Sequence, residues 1–489
     1  MHRIAFAALL AFATGCASAH QAGDPRPIPP LLADLAPKPA ASPNATPRVV
    51  TGRGPLSLVD AQRLALAQNP ALAARSTAVQ ARVGEAKQAR AIPNPELELT
   101  AEDLVVGGAG GGGGGGGVDA QPVQLTAALT QPIELGGKRG ARIAAAQHRR
   151  VEAELELERE RLRVYRETSK AFIDLLAAQR RDANAGEMVV LAEETMRVLT
   201  AKAEAGRTPD LEIKRTRVAL ALARIERRKA AQARDAARLA LATLIGQSEP
   251  QFERARGGFA IPDKLPDLAE LLPRVEHHPE LRRCHTVIAK KRTELDAARA
   301  DAIPDVSVGL GYRYLKDGAR SALLATLAIP VPLWDRNQGR VDAAGHEIAG
   351  AQHEAEAAEL ELTRELKQTV RDLHAAHFEV QSLSREVVAE ARESYGTIVD
   401  GYRLGRFGYL DLLDAQRTLF AAVQQAVEAR ALFFKAAIDM EGLVGQSLFD
   451  WTADGEQTDN DLGIRQALEH PRNAAFEPAE PATKSESTP

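Results

Sequence analysis

The residues able to do chemistry are few, and their spacing does not suit it. Eleven histidines and two cysteines are scattered over 489 residues. His374 and His377 stand three apart, and His277, His278, Cys284 and His285 cluster, but a metal centre needs three or four converging ligands. His377 falls on a helix seam with Val370 and Ser384, where ordinary packing explains it. His346-Glu347 is followed by Ile348-Ala349-Gly350, so no His-Glu-x-x-His is completed. Neither Gly-x-Ser-x-Gly nor Cys-x-x-Cys occurs. The glycine run 107–117 lacks the Gly-Lys-Ser/Thr of a phosphate loop and reads as a flexible hairpin tip. The expectation is a protein that is not an enzyme, with no cofactor and no metal site. With 62 basic against 66 acidic residues and a net charge of −4, there is no nucleic-acid footprint either.

The elements that carry these residues follow from composition. Length alone suggests about three domains, yet only 4% of residues are aromatic against 45% hydrophobic. Alanine supplies the remainder, which favours long helices packed along narrow seams. The chain also repeats itself. Asn69-Pro70-Ala71-Leu72 recurs as His278-Pro279-Glu280-Leu281, and Ala91-Ile92-Pro93 recurs as Ala302-Ile303-Pro304. Further on, Pro132, Leu135 and Arg142 match Pro330, Leu333 and Arg340, and Leu244-Ile245-Gly246-Gln247 matches Leu443-Val444-Gly445-Gln446. From Pro93 to Pro132 is 39 residues, but from Pro304 to Pro330 only 26. The excess is about the size of the glycine run.

Each half has one order of parts. A helical stretch (57–91 and 266–301) ends at a proline, and two extended segments follow. A very long helix (139–204 and 340–403) leads through Gly-Arg to a last helix (210–245 and 409–444). Leu366, Leu373, Val380 and Val387 repeat at seven, a coiled-coil period. Roughly 65 helical residues span roughly 100 Å. The extended segments are predicted at 95–106, 122–133, 304–314 and 321–332. Val306, Val308, Leu310, Tyr312 and Tyr314 alternate with small or polar residues. Across the turn at Lys316-Asp317-Gly318, Leu323, Ala325, Leu327, Ile329 and Val331 keep that period. Such strands fit a membrane β-barrel or the half-buried hairpins of a soluble sheet. Four strands cannot close a barrel, which needs eight or more, and open edges are not tolerated in lipid. If the sheet lies in a bilayer, two, three or four chains must pool their strands.

Residues 1–15 (or 1–19) read as an export signal. Ala17-Ser18-Ala19 fits ordinary cleavage, whereas Ala13-Thr14-Gly15-Cys16 resembles a lipoprotein lipobox and would lipidate Cys16. The organisation expected is this signal, a Pro-rich tether 16–55, a first repeat 56–247, a linker 248–265, a second repeat 266–447 and an acidic tail 448–489 expected to be disordered.

These features together resemble the TolC-like outer-membrane efflux channels. The resemblance rests on Ala91-Ile92-Pro93-Asn94-Pro95-Glu96-Leu97 and on Tyr402-Arg403-Leu404-Gly405-Arg406 followed by Tyr409-Leu410-Asp411-Leu412-Leu413-Asp414-Ala415-Gln416. Gln131-Pro132-Ile133-Glu134-Leu135-Gly136-Gly137-Lys138-Arg139 looks like the outer-membrane component of cobalt–zinc–cadmium-type efflux systems. The resemblance implies a mainly α fold with a membrane β portion, in a homotrimer sharing a twelve-strand barrel in outer-membrane lipid above a periplasmic helical barrel. It implies a passive conduit for divalent heavy metals, docked to a periplasmic adaptor and an inner-membrane RND pump. Multidrug efflux or type I secretion is the alternative, with a periplasmic coiled-coil adaptor behind both. Asp411 and Asp414 match the aspartates that ring the periplasmic aperture, and Tyr402 matches a tyrosine that holds it shut. Phe407 stands where the family has a gating arginine. Glu212 and Arg215 take the aspartate places in the first repeat, where Arg215 could pair with an aspartate.

Overall fold

The computed structural model describes residues 54–102, 124–204, 209–258, 261–315 and 320–449. The signal with Cys16, the tether up to residue 53, the glycine run 107–117, the Gly206-Arg207 break, the Lys316-Asp317-Gly318 turn and the tail from residue 450 lie outside the described residues.

The first half contains α1 (Leu58–Gln68), α2 (Pro70–Gln88), β1 (Glu96–Glu102), β2 (Gln124–Ile133), α3 (Lys138–Glu204) and α4 (Asp210–Leu244). The second contains α5 (Leu268–Val275), α6 (Pro279–Asp301), β3 (Val306–Leu315), β4 (Arg320–Ala328), α7 (Gln338–Ser382), α8 (Val388–Arg403) and α9 (Tyr409–Val444). Each opening helical stretch is two helices, because a proline starts the second. Asn69 caps α2 by accepting from the Ala71 amide at 2.9 Å. His278 Nδ1 does the same for α6, accepting from Glu280 at 3.2 Å. Proline at the first helical position loses nothing, since that amide has no partner in a helix. The last helices α4 and α9 both stop at a left-handed glycine, Gly246 and Gly445. A side chain on Gly246 would stand 2.7 Å from the Gln68 carbonyl, so that close approach needs glycine.

The four strands form one antiparallel sheet in the order β1-β2-β3-β4. Its register pairs Leu99 with Ala127, Leu129 with Leu310, Tyr312 with Ala127 and Leu323. The alternating apolar positions therefore share one face, and all but the half-buried Val306 are exposed, Leu323 by 89%. The opposite face carries Glu98, Thr126, Thr130, Gly309, Gly311 and Arg313. β4 stops at Ala328 instead of running to 332, because Pro330 and Pro332 have no N–H for a ladder.

The second long helix runs from residue 338 to 403, covering the expected 340–403, but it is not α-helical throughout. A π turn at Leu383–Val387 separates α7 from α8, with the Val388 amide bonding the Leu383 carbonyl. One extra residue per turn rotates all that follows by about 100°. Leu366, Leu373 and Val380 are buried as the seven-residue seam requires, but Val387 is 43% exposed and Val388 only 2%. The seam resumes from Val388 to Tyr395 and Tyr402. α3 runs 67 residues without such a break.

Near the strands the helices stand side by side as α2–α3–α6–α7; farther away the order is α4–α3–α9 with α7 and α8. Ion pairs stitch α3 to α6 (Glu158–Arg282 3.0 Å, Glu152–Lys290 2.7 Å) and α3 to α9 (Lys170–Asp439 2.5 Å). The densest core lies midway, where Phe172, Leu175, Leu241, Leu271, Phe433 and Ile438 are buried together. There the fully buried Glu441 accepts from Tyr165 Oη at 3.1 Å and from the Leu448 and Phe449 amides at 2.8 and 3.1 Å. It thereby holds the chain that leaves α9 against α3. Among the described residues no helix is long and apolar enough to cross a membrane.

Candidate functional site at the far end of the helices

The turn between α8 and α9 is made by its own backbone. The Gly405 amide donates to the Tyr402 carbonyl at 3.2 Å, and the Arg406 amide donates to the Gly401 carbonyl at 2.8 Å. Phe407 folds its ring over Gly401, where a Cβ would lie 2.1 Å from the ring edge. Phe407 thus closes the turn by packing. α9 begins at Gly408, whose amide donates to Asp411 Oδ2 at 2.8 Å. That bond satisfies one of the orphan donors of the helix start and places negative charge at the positive end of its dipole. Asp411 and Asp414 are exposed one turn apart on the same side of α9.

Four chain segments meet beside this turn. Lys202, in the last turn of α3, lies with Nζ 4.6 Å from the centre of the Tyr402 ring, a cation–π contact of about 0.5–1 kcal/mol. Burial, then the neighbouring Glu212 carboxylate, push the Tyr402 phenol above its ordinary range. Tyr409, at the first position of α9, is buried, and burial raises its phenol as well. Against it lies Thr216, buried on α4, whose hydroxyl donates to the Glu212 carbonyl at 2.8 Å. Tyr402 and Glu212 thus come together with Lys202, Tyr409 and Thr216. Arg215, Asp411 and Asp414 are exposed and form no ion pair among the described residues.

Lys202 and Thr216 carry no signal in the sequence. A lysine in a last helical turn reads as a complement to the dipole, and nothing in its spacing points to a tyrosine 200 positions on. Tyr409 does carry one, since it opens both the last helix predicted from 409 and the motif that bears the resemblance.

The histidine cluster resolves into separate tasks. His278 is the α6 cap, and burial pulls it down to about 4, so it stays an acceptor. Cys284 is buried, which pushes its thiol up. His377 reaches the Pro262 carbonyl at 2.9 Å and packs on Phe433. Among the described residues, no three His, Cys, Asp or Glu converge to hold a metal ion.

Comparison with known proteins brings this geometry into a family. Residues 62–247 and 275–446 each match the family described as outer membrane efflux protein. The chain is 31% identical over 395 residues to the cobalt-zinc-cadmium resistance protein CzcC of Cupriavidus metallidurans, covering 80% of this chain and 91% of that one. It is 28% identical to the nickel-cobalt-cadmium resistance protein NccC of Alcaligenes xylosoxydans xylosoxydans, over 66% of this chain and 70% of the relative. A crystal structure of CusC, described in terms of transmembrane channel formation, superposes with a TM-score of 0.66 at 16% identity, covering 80% of this chain and 92% of CusC. The chain belongs to the outer membrane efflux protein family, channels of the outer membrane whose long helices stand in the periplasm.

Proposed function

We propose that three copies of this chain form a passive outer-membrane conduit, joined by a periplasmic adaptor to an inner-membrane RND pump, and that the cargo is divalent heavy-metal cations. The observation that carries the oligomer is a pair of complementary open edges. Among the described residues, β1, α2 and α4 have no further neighbour on one side, and β4, α7 and α8 have none on the other. α4 packs on α3 through one side and leaves Leu211, Val218 and Ile225, spaced in sevens, exposed with Leu222 and Leu239. The opposite edge exposes Leu360, Phe378 and Val387. A head-to-tail contact between such edges closes a ring when the rotation allows, and three copies give a twelve-strand barrel. The two halves, 56–247 and 266–447, then act as repeats around that ring, tethered at a lipidated Cys16.

Within the ring, Asp411 and Asp414 from three chains would crowd negative charge into the aperture, favouring cations over anions. Tyr402, Glu212 and Arg215 hold the aperture closed, Arg215 by pairing with an aspartate of another copy. Arg215→Ala is expected to raise single-channel conductance in planar bilayers; unchanged conductance would remove Arg215 from the gate. The cargo follows the relatives, named for resistance to cobalt, zinc, cadmium and nickel. A strain lacking the protein is expected to accumulate zinc, cobalt and cadmium. Unchanged metal with raised drug uptake would overturn the cargo and favour multidrug efflux.

A further inference from the structure

Where strands give way to helices, each strand has an exposed isoleucine: Ile92 ahead of β1, Ile133 at the end of β2, Ile303 ahead of β3 and Ile329 after β4. On the β4 side the apolar run continues. Leu323, Leu327, Ile329, Val331 and Leu333 are exposed at alternate or near-alternate positions, and Trp334 follows, 86% exposed. The Leu333 amide donates to the Val331 carbonyl at 3.0 Å, which turns the chain there. Asn337 Nδ2 donates to the Ala298 carbonyl at 2.6 Å, tying this corner to the end of α6.

Cations lie immediately beyond. Arg336 and Arg340 are exposed without an ion pair among the described residues, and so is Arg90 at the end of α2. Their neighbours Lys138 and Arg142 are neutralised by Asp305 and Glu134. Arg139 is a fourth exposed cation without an ion pair among the described residues, and the acids left exposed at this level are Asp301, Asp335 and Asp342. Four arginines thus face three aspartates, and the balance is positive.

The spacing suits a bilayer. Tyr312 and Tyr314 stand toward the other end of the same apolar face, and Ser321 pairs with Tyr314. From Ser321 to Val331 is roughly 33 Å of extended chain. At the roughly 40° tilt of barrel strands this rises roughly 25 Å, the height of the apolar band of an outer-membrane barrel. The two aromatic groups thus flank that band, with the tryptophan on the side of the long helices.

We propose that Trp334 with Arg336, Arg340 and Arg90 forms a belt that binds the headgroups of anionic phospholipids in the leaflet facing the periplasmic helices. This rests on the membrane reading of the sheet given above. The indole ring suits the boundary between headgroup and acyl chain, and each arginine near an anionic surface favours it about fivefold.

The test uses the full-length protein in vesicles of phosphatidylethanolamine with phosphatidylglycerol. Trp451→Phe leaves Trp334 as the single indole, because the chain has two tryptophans. Its fluorescence is expected to be quenched more by lipids brominated high in the acyl chain than by lipids brominated near its end. Phosphatidylglycerol retained by the protein in native mass spectrometry is expected to fall about fivefold per arginine on Arg336→Gln and Arg340→Gln. Trp334 emission that is unquenched and blue would mean a second copy covers it. Unquenched and red emission would mean water does; either overturns the belt. Equal retention of the two lipids in the parent protein, or loss of none in the variants, overturns its anionic preference. Leu323→Trp, placed in a background lacking both natural tryptophans, reports on the sheet itself. Deep quenching there with none at Trp334 sinks the belt alone; quenching at neither position sinks the membrane reading.

Discussion

The last helices of the two halves, α4 and α9, start beside the same end of the molecule and finish at matched glycines, yet their surroundings are opposite. α4 buries only Thr216, Leu241 and Ala242. α9 buries residues at every turn, from Tyr409 and Leu412 to Phe433, Ile438 and Val444. The reason is position in the wall. α9 lies between α3 and the α7–α8 helix, whereas among the described residues α4 packs along its length on α3 and meets α8 and α9 at its start, through Glu212 and Thr216. Since α4 keeps apolar residues in sevens on its free side, its sequence specifies a second contact that one chain does not supply. Burial within a chain and apolar patterning are thus separate signals, and the gap between them falls where the proposed ring puts its subunit interface.

The largest effect that would break this comparison comes from Val218→Asp combined with Ile225→Asp. Both residues are exposed in the single chain, so helix content by circular dichroism is expected to be unchanged. Light scattering is expected to show the assembly lost. An intact trimer would mean that the free side of α4 is not an interface. On the buried counterpart, Phe433→Ala removes a ring that is 0% exposed. It is expected to cost about 3–5 kcal/mol in urea unfolding; a cost below that of an ordinary surface change would contradict the buried role of α9.

The paired caps sharpen the contrast between halves. Asn69 cannot titrate, but His278, held at about 4 against an ordinary 6.5, can. Between these values the unfolded chain binds a proton that the folded chain refuses. The His278 contribution is therefore complete above pH 6.5, fades as pH falls, and has declined by up to about 3 kcal/mol near pH 4. His278→Asn supplies the cap found in the first half and is expected to flatten stability across pH 4–6.5. An unaltered pH profile would show that His278 is not the group responsible. The smallest effect belongs to Lys202→Ala, which removes a contact of about 0.5–1 kcal/mol. It is expected to raise the open probability of single channels a few-fold, and a change in stability without one in gating would leave Lys202 as packing only.

Much of the fold could be read before the structure, for physical reasons. Strand faces follow a period of two, and the register merges them, so Leu129, Leu310 and Leu323 end on one side as their alternation requires. The Asn-Pro and His-Pro repeats mark helix starts because cap and proline act locally. The π turn could not be read. Val387 and Val388 are both valine, so the seam at Leu366, Leu373 and Val380 continues in either register, and only packing against α9 selects the second. The site was legible in part. Tyr402 and Glu212 do meet, but Lys202 and Thr216 reach them through a turn of the whole wall, which leaves no period in the sequence. The motif from Gln131 to Arg139 also acquires a mechanical meaning. Glu134 pairs with Arg142, Lys138 with Asp305, and Arg139 donates to the Arg90 carbonyl at 2.8 Å, so it fastens strand to helix.

The proposed conduit exists only if the two open edges close into a ring. Native mass spectrometry of the full-length protein released from lipid nanodiscs counts the chains directly. A mass of three chains is the expected result, with β1 and α4 of each copy against β4 and α8 of the next. A stable single chain, or a dimer whose edges stay open, would contradict it.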